Sequence, residues 1–396
     1  MLAGMNADAR DCRALSLQAV ETLKRGEPRK ARELFEQAIA AGAGDADTWF
    51  GLSLAHQNLG ATQAESAALD KTLEVNTRHL PALIRKGDLY TGSGDRRSAT
   101  TYYRAALKLG ATLQGLSPDW RAKLDHIEGL CQQNAQAYEE HLFADLTRRG
   151  LGGPGTARFA RAMDLVLGKR QIYHQQPRYF HFPELPEIEI FERQPFPWVA
   201  ALEEATAAIR EELRAAVASG TGFVPYLQKE ANRPAFTGSG LLNDTSWSAF
   251  HLFKAGEPVA ENAARCPKTM QALAQVPLCR IQGRTPTVMF SLLRPGARIP
   301  PHHGYLNTRL ICHLPLVVPA DCALRVGNQT HRWREGELVI FDDTIEHEAW
   351  NNSPELRVVL LFDIWRPELT DIERSLIAEV LESIDRFGGP RREWTQ

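Results

Sequence analysis

Three glycines in the first third of the chain, Gly26, Gly60 and Gly94, follow one another at a spacing of 34 residues. Other positions repeat at the same spacing. One set has large residues: Phe35, Leu69 and Tyr103. Two sets have mostly small residues: Ala19, Ser53 and Gly87, and Ala38, Thr72 and Ala106. A repeat of this length predicts pairs of helices that are too small to bury their apolar faces alone and therefore stack on their neighbours. The first domain is thus expected to be an α-helical solenoid.

The period and the order of large and small positions resemble tetratricopeptide repeats over residues 12–112. The middle unit departs most from the pattern, because Glu65 and Thr72 stand where the other two units have alanine. Three stacked helix pairs form a concave surface that can receive a peptide or a partner helix, and a short solenoid that only caps or dimerises the second domain is the alternative. We assign residues 1–116 to the repeats and residues 117–180 to connecting helices.

The last third of the chain has a different periodicity. From Thr285 onward, apolar residues alternate with other residues over short segments, and Gly or Pro residues mark the turns between them. Short alternating strands of this kind are typical of a small barrel or jelly roll. We predict a double-stranded β-helix of the cupin type within residues 181–396, closed by a C-terminal helix that starts at a capping box of Thr370 and Glu373.

Composition narrows the class of partner. The chain has 46 Lys plus Arg and 48 Asp plus Glu, without a long basic run, which disfavours nucleic acid as a partner. Six cysteines without a CxxC pair are typical of reduced thiols in a cytoplasmic protein. No apolar run is long enough for a signal peptide core or a membrane span, so we expect a cytoplasmic protein without a membrane anchor.

Two histidines and one arginine carry the chemistry of the second domain. His302 in "IPPHHG" and His347 in "IEHEAW" each stand at one end of a predicted strand, and two imidazoles from separate strands of a jelly roll are typical of a non-haem iron site. Arg357 follows on the strand that we expect to pair with that of His347. An arginine inside an apolar barrel requires a bound anion, and its fork suits one end of a dicarboxylate such as 2-oxoglutarate.

Other interpretations of these residues stay open at this point. Arg357 could instead form a structural ion pair with Asp342, Asp343 or Asp363. A facial triad would need a carboxylate two residues after His302, where the chain has Gly304, so that a coordination position is left for water, chloride or a carboxylate from elsewhere. His303 should face away from the metal. We expect the acidic residues around His347 to orient its imidazole.

Four segments in this region resemble, in order, the aspartyl/asparaginyl β-hydroxylase family of Fe(II)/2-oxoglutarate oxygenases: "PHHGYLNTRLICHLPL", "CALRVG", "WREGELVIFDDTIEHEAWN" and "LRVVLLFDIWRPELT". The resemblance runs from about Phe180 to Thr370, and the animal members also carry a helical repeat domain ahead of the catalytic domain. It implies that Fe(II), O2 and 2-oxoglutarate are used to hydroxylate an Asp or Asn residue. It implies that His302 and His347 bind the iron and that Arg357 binds the distal carboxylate of 2-oxoglutarate. It also implies that Ser291 and His313 bind the co-substrate and that Trp247 lines the pocket.

The chain departs from these relatives at one position of the site. The resemblance implies "RLRxHL", whose second arginine contacts the substrate, whereas this chain reads "RLICHL" with Ile311 at that place. Arg309 shares a strand face with Ile311 by alternation and is therefore the candidate substitute. The acidic group of the substrate is thus held differently here, or is absent.

We predict a 2-oxoglutarate-dependent dioxygenase that hydroxylates a C–H bond of an Asp or Asn residue in a peptide or protein captured by the repeats. One alternative is a repeat-based interaction scaffold whose barrel binds metal without turnover. Another is a halogenase that uses the open position at Gly304. Lipid hydroxylation, known in other branches of the family, is disfavoured by the lack of a membrane anchor.

Overall fold

The computed structural model describes residues 2–150, 157–229 and 241–387. The chain forms two compact units, Met1–Leu167 and Gly168–Gln396. Among the described residues, no helix is both long enough and apolar enough to cross a membrane.

The first unit is helical throughout its described part. Its helices are α1 (Leu2–Lys24), α2 (Pro28–Ala40), α3 (Ala46–Asn58), α4 (Thr62–Val75), α5 (Leu80–Gly92), α6 (Arg96–Gly110), α7 (Pro118–Arg148) and α8 (Ala157–Val166). The predicted helical repeat is confirmed, since each of the glycines spaced by 34 residues lies in the turn between the two helices of a pair. Gly26, Gly60 and Gly94 have φ angles of 80°, 70° and 80°, a left-handed conformation that glycine adopts without strain.

Two glycines let an aromatic ring pack closely against a neighbouring helix, Gly87 of α5 inside the third pair and Gly51 of α3 between the first and second pairs. A Cβ atom at Gly87 would lie 2.3 Å from the ring of Tyr103, and one at Gly51 would lie equally close to the ring of Phe35. These glycines therefore let one helix approach the aromatic residue of the next. The last repeat also packs against α7, whose Ile127 and Cys131 are buried in the same apolar cluster as Tyr103.

The departures of the middle repeat have a structural reason. Glu65 is buried and accepts a hydrogen bond of 2.5 Å from Nε of Arg85, which belongs to the next repeat. The hydroxyl group of Thr72 donates to the backbone oxygen of Ala68. Lys86, also buried, lies 2.7 Å from Asp70. Ion pairs thus join the second and third repeats where alanine packing would otherwise do so.

The second unit combines short helices with two antiparallel sheets. Its strands are β1 (Ile190–Phe191), β2 (Val224–Pro225), β3 (Trp247–Lys254), β4 (Glu257–Pro258), β5 (Val288–Leu293), β6 (Arg298–His302), β7 (Arg309–Val317), β8 (Cys322–Val326), β9 (Gln329–His331), β10 (Val339–Phe341), β11 (His347–Asn351) and β12 (Arg357–Trp365). Its helices are α9 (Val199–Glu204), α10 (Thr206–Ser219), α11 (Ala260–Arg265), α12 (Pro267–Leu273) and α13 (Asp371–Arg386).

The strands divide into a large and a small sheet. The large sheet has the order β1-β10-β7-β12-β5-β3-β2, with β4 paired to β3, and the small sheet has the order β6-β11-β8-β9. The two antiparallel sheets agree with the predicted β domain, whereas its assignment to the double-stranded β-helix of the cupin type stays a prediction. The expectation that the strand of Arg357 pairs with that of His347 is wrong, because β12 pairs with β5 and β7 while β11 pairs with β6 and β8.

The large sheet separates two apolar clusters because its side chains alternate between its faces. On β7, Leu310, Cys312 and Leu314 join residues of α9, α10 and α12 in the first cluster. Ile311, on the other face, joins residues of the small sheet, such as Leu324 and Ala349, in the second cluster. The second cluster therefore lies between the two sheets, where side chains of both can meet.

The C-terminal helix begins as predicted. The hydroxyl group of Thr370 accepts a hydrogen bond from the backbone of Glu373, and the Glu373 carboxylate accepts one from the backbone of Thr370. This is the reciprocal capping box that the sequence indicates. Ile377 and Leu381 bury the inner face of the helix.

Candidate active site

The two predicted iron ligands face each other across neighbouring strands. His302 at the end of β6 is the direct cross-strand partner of His347 at the start of β11, and their ring centroids lie 4.0 Å apart. Nδ1 of His302 lies 2.8 Å from the backbone oxygen of Pro300, and Nδ1 of His347 lies 3.1 Å from that of Ile345. Because a carbonyl oxygen only accepts, each Nδ1 carries the proton and each Nε2 keeps a free lone pair.

Burial keeps both rings in the form that binds metal. Desolvation lowers the pKa of His302 to about 4 and holds the pKa of His347 well below its usual value. Both imidazoles are therefore neutral at neutral pH. A neutral ring with Nδ1 tied to an oxygen is the usual state of a metal-binding histidine, so this pair fits a divalent iron.

The expectation that nearby carboxylates orient His347 is wrong, since the backbone oxygen of Ile345 does so. The acidic residues around this histidine are instead engaged by arginines. The pairs are Asp342 with Arg366, Asp343 and Asp363 with Arg309, Glu346 with Arg325, and Glu348 with both Arg298 and Arg325. The acidic run in "FDDTIEHEAW" thus serves mainly to offset arginines.

The space beside Gly304 contains a carboxyl group from elsewhere in the chain. A Cβ atom at Gly304 would lie 2.1 Å from Oδ2 of Asp343, so a larger residue does not fit without displacing that side chain. Oδ1 of Asp343 is buried without a hydrogen-bond partner, and desolvation raises its pKa to about 7. Within the described ranges, however, no group of three or more His, Cys, Asp or Glu side chains could hold a metal together.

Arg357 is a buried cation without a carboxylate partner among the described residues. Its side chain is 1% exposed, and its Nη1 donates a long hydrogen bond of 3.4 Å to the backbone oxygen of Ser291. Nε has no hydrogen-bond partner. Desolvation lowers the pKa of Arg357 to about 10, so the group stays charged at neutral pH. The alternative of an ion pair with Asp342, Asp343 or Asp363 does not hold, because those carboxylates contact Arg309 and Arg366.

One cavity between the sheets brings most of the predicted site residues together. Its lining includes Trp247, Ser291, His302, Ile311, His313, His347 and Arg357. The indole Nε1 of Trp247 donates to Oγ of Ser291 at 3.2 Å. Nδ1 of His313 is buried without a partner, and desolvation together with Arg357 holds the pKa of His313 well below its usual value. The cavity therefore brings the imidazoles of His302 and His347 together with a cation and several hydrogen-bonding groups.

The two candidate substrate residues on β7 differ in their surroundings. Ile311 lines the cavity. Arg309 does not line the cavity, and its guanidinium group is 2.8 Å from Asp363 and 3.2 Å from Asp343. Two carboxylates thus already offset the charge of this arginine, and the cationic side chain in the cavity lining is Arg357.

Sequence reasoning missed two aromatic residues beside the cavity. Tyr226 stacks on Trp247 with the ring centroids 4.1 Å apart. Trp333 lies with its ring centroid 4.7 Å from the guanidinium carbon of Arg357. Trp333 falls between β9 and β10 in "HRWREGE", and a large aromatic residue in an otherwise charged turn was the available signal.

Comparisons with known proteins match the second unit. Residues 203–367 match the Aspartyl/Asparaginyl beta-hydroxylase family, which confirms the resemblance noted from the sequence motifs. The chain is 35% identical over 194 residues to an ornithine lipid ester-linked acyl 2-hydroxylase of Rhizobium tropici, a match that covers 47% of this chain and 63% of the relative. It is 35% identical over 181 residues to the human aspartyl/asparaginyl beta-hydroxylase, covering 44% of this chain and 22% of the relative.

These matches span less than two thirds of each relative's length. Part of the chain superimposes on the type III secretion chaperone SycD of Yersinia enterocolitica with a TM-score of 0.29 and 12% identity, over 32% of this chain and 93% of the chaperone. This score is too low to support an argument, so the helical repeat rests on the helix pairs and glycine turns described above.

Proposed function

We propose that this chain, whose residues 203–367 carry a domain of the aspartyl/asparaginyl beta-hydroxylase family, is an Fe(II)- and 2-oxoglutarate-dependent hydroxylase. The observation that carries the proposal is the buried Arg357, which has no carboxylate partner among the described residues and lines one cavity with the His302–His347 pair. A cation in such a place is costly unless it receives an anion. A dicarboxylate that reaches from a metal to an arginine meets both requirements.

Each residue then has a physical task. His302 and His347 hold the iron through Nε2, since Nδ1 of each ring is tied to a backbone oxygen. Arg357 receives the distal carboxylate of 2-oxoglutarate, and Ser291 lies next to it in the lining. Bound iron supplies the activation of O2 that couples decarboxylation of 2-oxoglutarate to succinate with hydroxylation of a substrate C–H bond.

The apolar lining excludes water from this reaction. Ile311, Leu324 and Leu361 line the same cavity as the two histidines and the arginine. Exclusion of water strengthens the interaction of Arg357 with a carboxylate and protects reactive species from side reactions. His313, neutral because of burial, offers a hydrogen bond to the co-substrate without adding charge.

The substrate that we favour is an Asp or Asn residue of a peptide or protein, brought to the cavity by the repeats of the first unit. The family description and the human relative support this choice. A stack of helix pairs such as α1 to α6 provides a surface suited to an extended chain.

A second candidate, hydroxylation of an acyl chain, is favoured by Ile311 and by the relative from Rhizobium tropici. An isoleucine in the cavity suits a hydrocarbon better than a carboxylate, and Arg309 is already neutralised by two aspartates. Release of succinate in the presence of acidic peptides, asparagine peptides or acylated lipids distinguishes the two candidates.

The decisive experiment measures binding and turnover separately. Calorimetry should detect binding of 2-oxoglutarate to the full chain loaded with Mn(II), which replaces iron without redox chemistry. Succinate release should require Fe(II) and O2. A chain that binds neither divalent metal nor 2-oxoglutarate would instead be a repeat scaffold without an enzyme site.

A further inference from the structure

The free protein must tolerate the buried charge of Arg357 before any co-substrate arrives. The residues that the structure describes provide it with no carboxylate, and its Nε lacks a hydrogen-bond partner. Leaving a desolvated cation uncompensated is strongly destabilising. Some other group must therefore offset the charge and hold the side chain in one orientation.

Trp333 is the group in a position to do so. Its ring centroid lies 4.7 Å from the guanidinium carbon of Arg357, within the range of a cation–π contact. Trp333 is itself buried, with 7% of its surface exposed. A cation–π contact is strongest when both partners are removed from water, so this one should contribute more than a surface pair does.

The position of Trp333 in the chain suits a holding role. It lies in the turn between β9 of the small sheet and β10 of the large sheet, whereas Arg357 begins β12. Its ring also lies 5.9 Å from that of His313. Trp333 thus lies against two lining residues, Arg357 and His313, from a segment that bears neither of them.

From these contacts we infer that Trp333 is a positioning residue, whose ring holds the Arg357 guanidinium group ready for the distal carboxylate of the co-substrate. This inference rests on the proposed function. Loss of the ring would let the long arginine side chain adopt other rotamers, and the co-substrate would then have to restore the binding orientation at the expense of its affinity.

A purely structural role for Trp333 makes a different prediction. If the residue only fills space, its replacement would destabilise the fold by the same amount whether or not Arg357 carries a charge. If its ring offsets the charge, the two residues are coupled, and replacement costs less once Arg357 is replaced by an uncharged side chain.

The test uses the full chain with the variants Trp333→Phe, Trp333→Leu, Arg357→Met and the double variant Trp333→Leu with Arg357→Met. Trp350→Leu is the matched control, because Arg298 lies over the Trp350 ring at 5.3 Å but has Glu348 as an ionic partner. Calorimetry measures the dissociation constant of 2-oxoglutarate with Mn(II)-loaded protein. Urea unfolding of the metal-free protein measures the coupling.

We expect Trp333→Leu to raise the dissociation constant about ten-fold. Trp333→Phe should keep it within about three-fold of the parent, since an aromatic face remains, and Trp350→Leu should leave it unchanged. Trp333→Leu should destabilise the parent more than it destabilises Arg357→Met. If Trp333→Leu does not fold, Trp333→Met takes its place in the same comparison.

Two results would overturn the inference: an affinity for 2-oxoglutarate that is the same in Trp333→Leu and Trp350→Leu, or equal destabilisation by Trp333→Leu in both backgrounds. Failure of the proposed function looks different. In that case the parent protein does not bind 2-oxoglutarate at all, while the unfolding experiment still reports the coupling of Trp333 to Arg357.

Discussion

At the scale of single residues, the site is defined by what each polar group already contacts. Aspartates and glutamates near His347 have arginine partners, and Arg309 and Arg366 have aspartate partners. Arg357 has none among the described residues, and the two histidines keep one nitrogen each. These three groups line one cavity, so they are candidates to take a ligand together.

Replacing either ligand histidine should abolish iron-dependent turnover. His302→Ala and His347→Ala each remove one imidazole of the facing pair, and no group of three or more His, Cys, Asp or Glu side chains in the described ranges could hold the metal instead, so metal affinity should fall steeply. Metal content after dialysis and succinate release are the measurements. His303→Ala is the control, since His303 is not in the cavity lining, and iron loss in this variant alone would contradict the assignment.

Replacing Arg357 should act on the co-substrate and spare the metal. Arg357→Ala removes the positive partner of the distal carboxylate, and we expect 2-oxoglutarate binding to weaken by roughly 2 to 5 kcal/mol. Iron content should stay at the level of the parent protein. An unchanged dissociation constant for 2-oxoglutarate would make Arg357 a structural residue.

Replacing Ile311 with arginine tests the substrate class. The new guanidinium group would enter an apolar part of the cavity, where it favours a substrate carboxylate and is penalised without one. Succinate release with acidic peptides should therefore rise relative to release with acylated lipids. Ile311→Leu controls for the change in packing, and an unaltered ratio in Ile311→Arg would remove this position from substrate recognition.

At the scale of secondary-structure elements, strand pairing brings distant segments to one cavity. The small sheet places His302 opposite His347, and the large sheet supplies Ser291, His313 and Arg357 from β5, β7 and β12. In the first unit, an ion pair joins the neighbouring helices α4 and α5. There the buried partner is Glu65, while Arg85 stays partly exposed.

Because Glu65 is more buried than Arg85, we expect substitution of either residue to lower the stability of the first unit by a different amount. Arg85→Ala leaves Glu65 buried without a partner and should destabilise the first unit by about 3 kcal/mol. Glu65→Ala leaves an arginine that can turn to water and should cost only about 1 kcal/mol. Urea unfolding followed by helical circular dichroism measures both.

The double variant provides the control for this pair. Glu65→Ala together with Arg85→Ala restores the alanine that the other repeats have at the position of Glu65, so it should be more stable than Arg85→Ala alone. If Arg85→Ala were the milder of the two single changes, the ion pair would not be what joins these repeats.

At the scale of the whole molecule, the boundary between the two units decides how the repeats can be tested. The core of the last repeat includes Ile127 and Cys131 of α7, so a cut after residue 112 would expose an apolar face. The described division lies between Leu167 and Gly168. Residues 168–396 are therefore the appropriate fragment.

Removing residues 1–167 should raise the Michaelis constant for a protein substrate and leave that for 2-oxoglutarate unchanged. The reason is that repeats that hold a substrate near the cavity increase its local concentration. Circular dichroism and iron content check first that the fragment is folded. Equal efficiency of the fragment and the full chain on a protein substrate would favour a scaffold or dimerisation role for the repeats.

Much of the architecture could be predicted from the sequence because it depends on local rules. Glycine spacing located the turns of the repeat, Thr370 and Glu373 located the start of α13, and alternation along β7 separated Ile311 from Cys312. These features follow from backbone sterics, capping and the two-residue period of a strand, which act over a few residues.

The partners of charged residues, in contrast, were decided only by the tertiary structure. The sequence contains several aspartates near several arginines, and it wrongly suggested that the strand of Arg357 pairs with that of His347. Only the pairing of strands distant in sequence determines that Asp363 and Asp343 contact Arg309, that Asp342 contacts Arg366, and that Trp333 covers Arg357. The periodicity of the sequence assigns a residue to one face of a helix or strand. Whether a buried charge has a partner depends on which residues the tertiary structure places beside it.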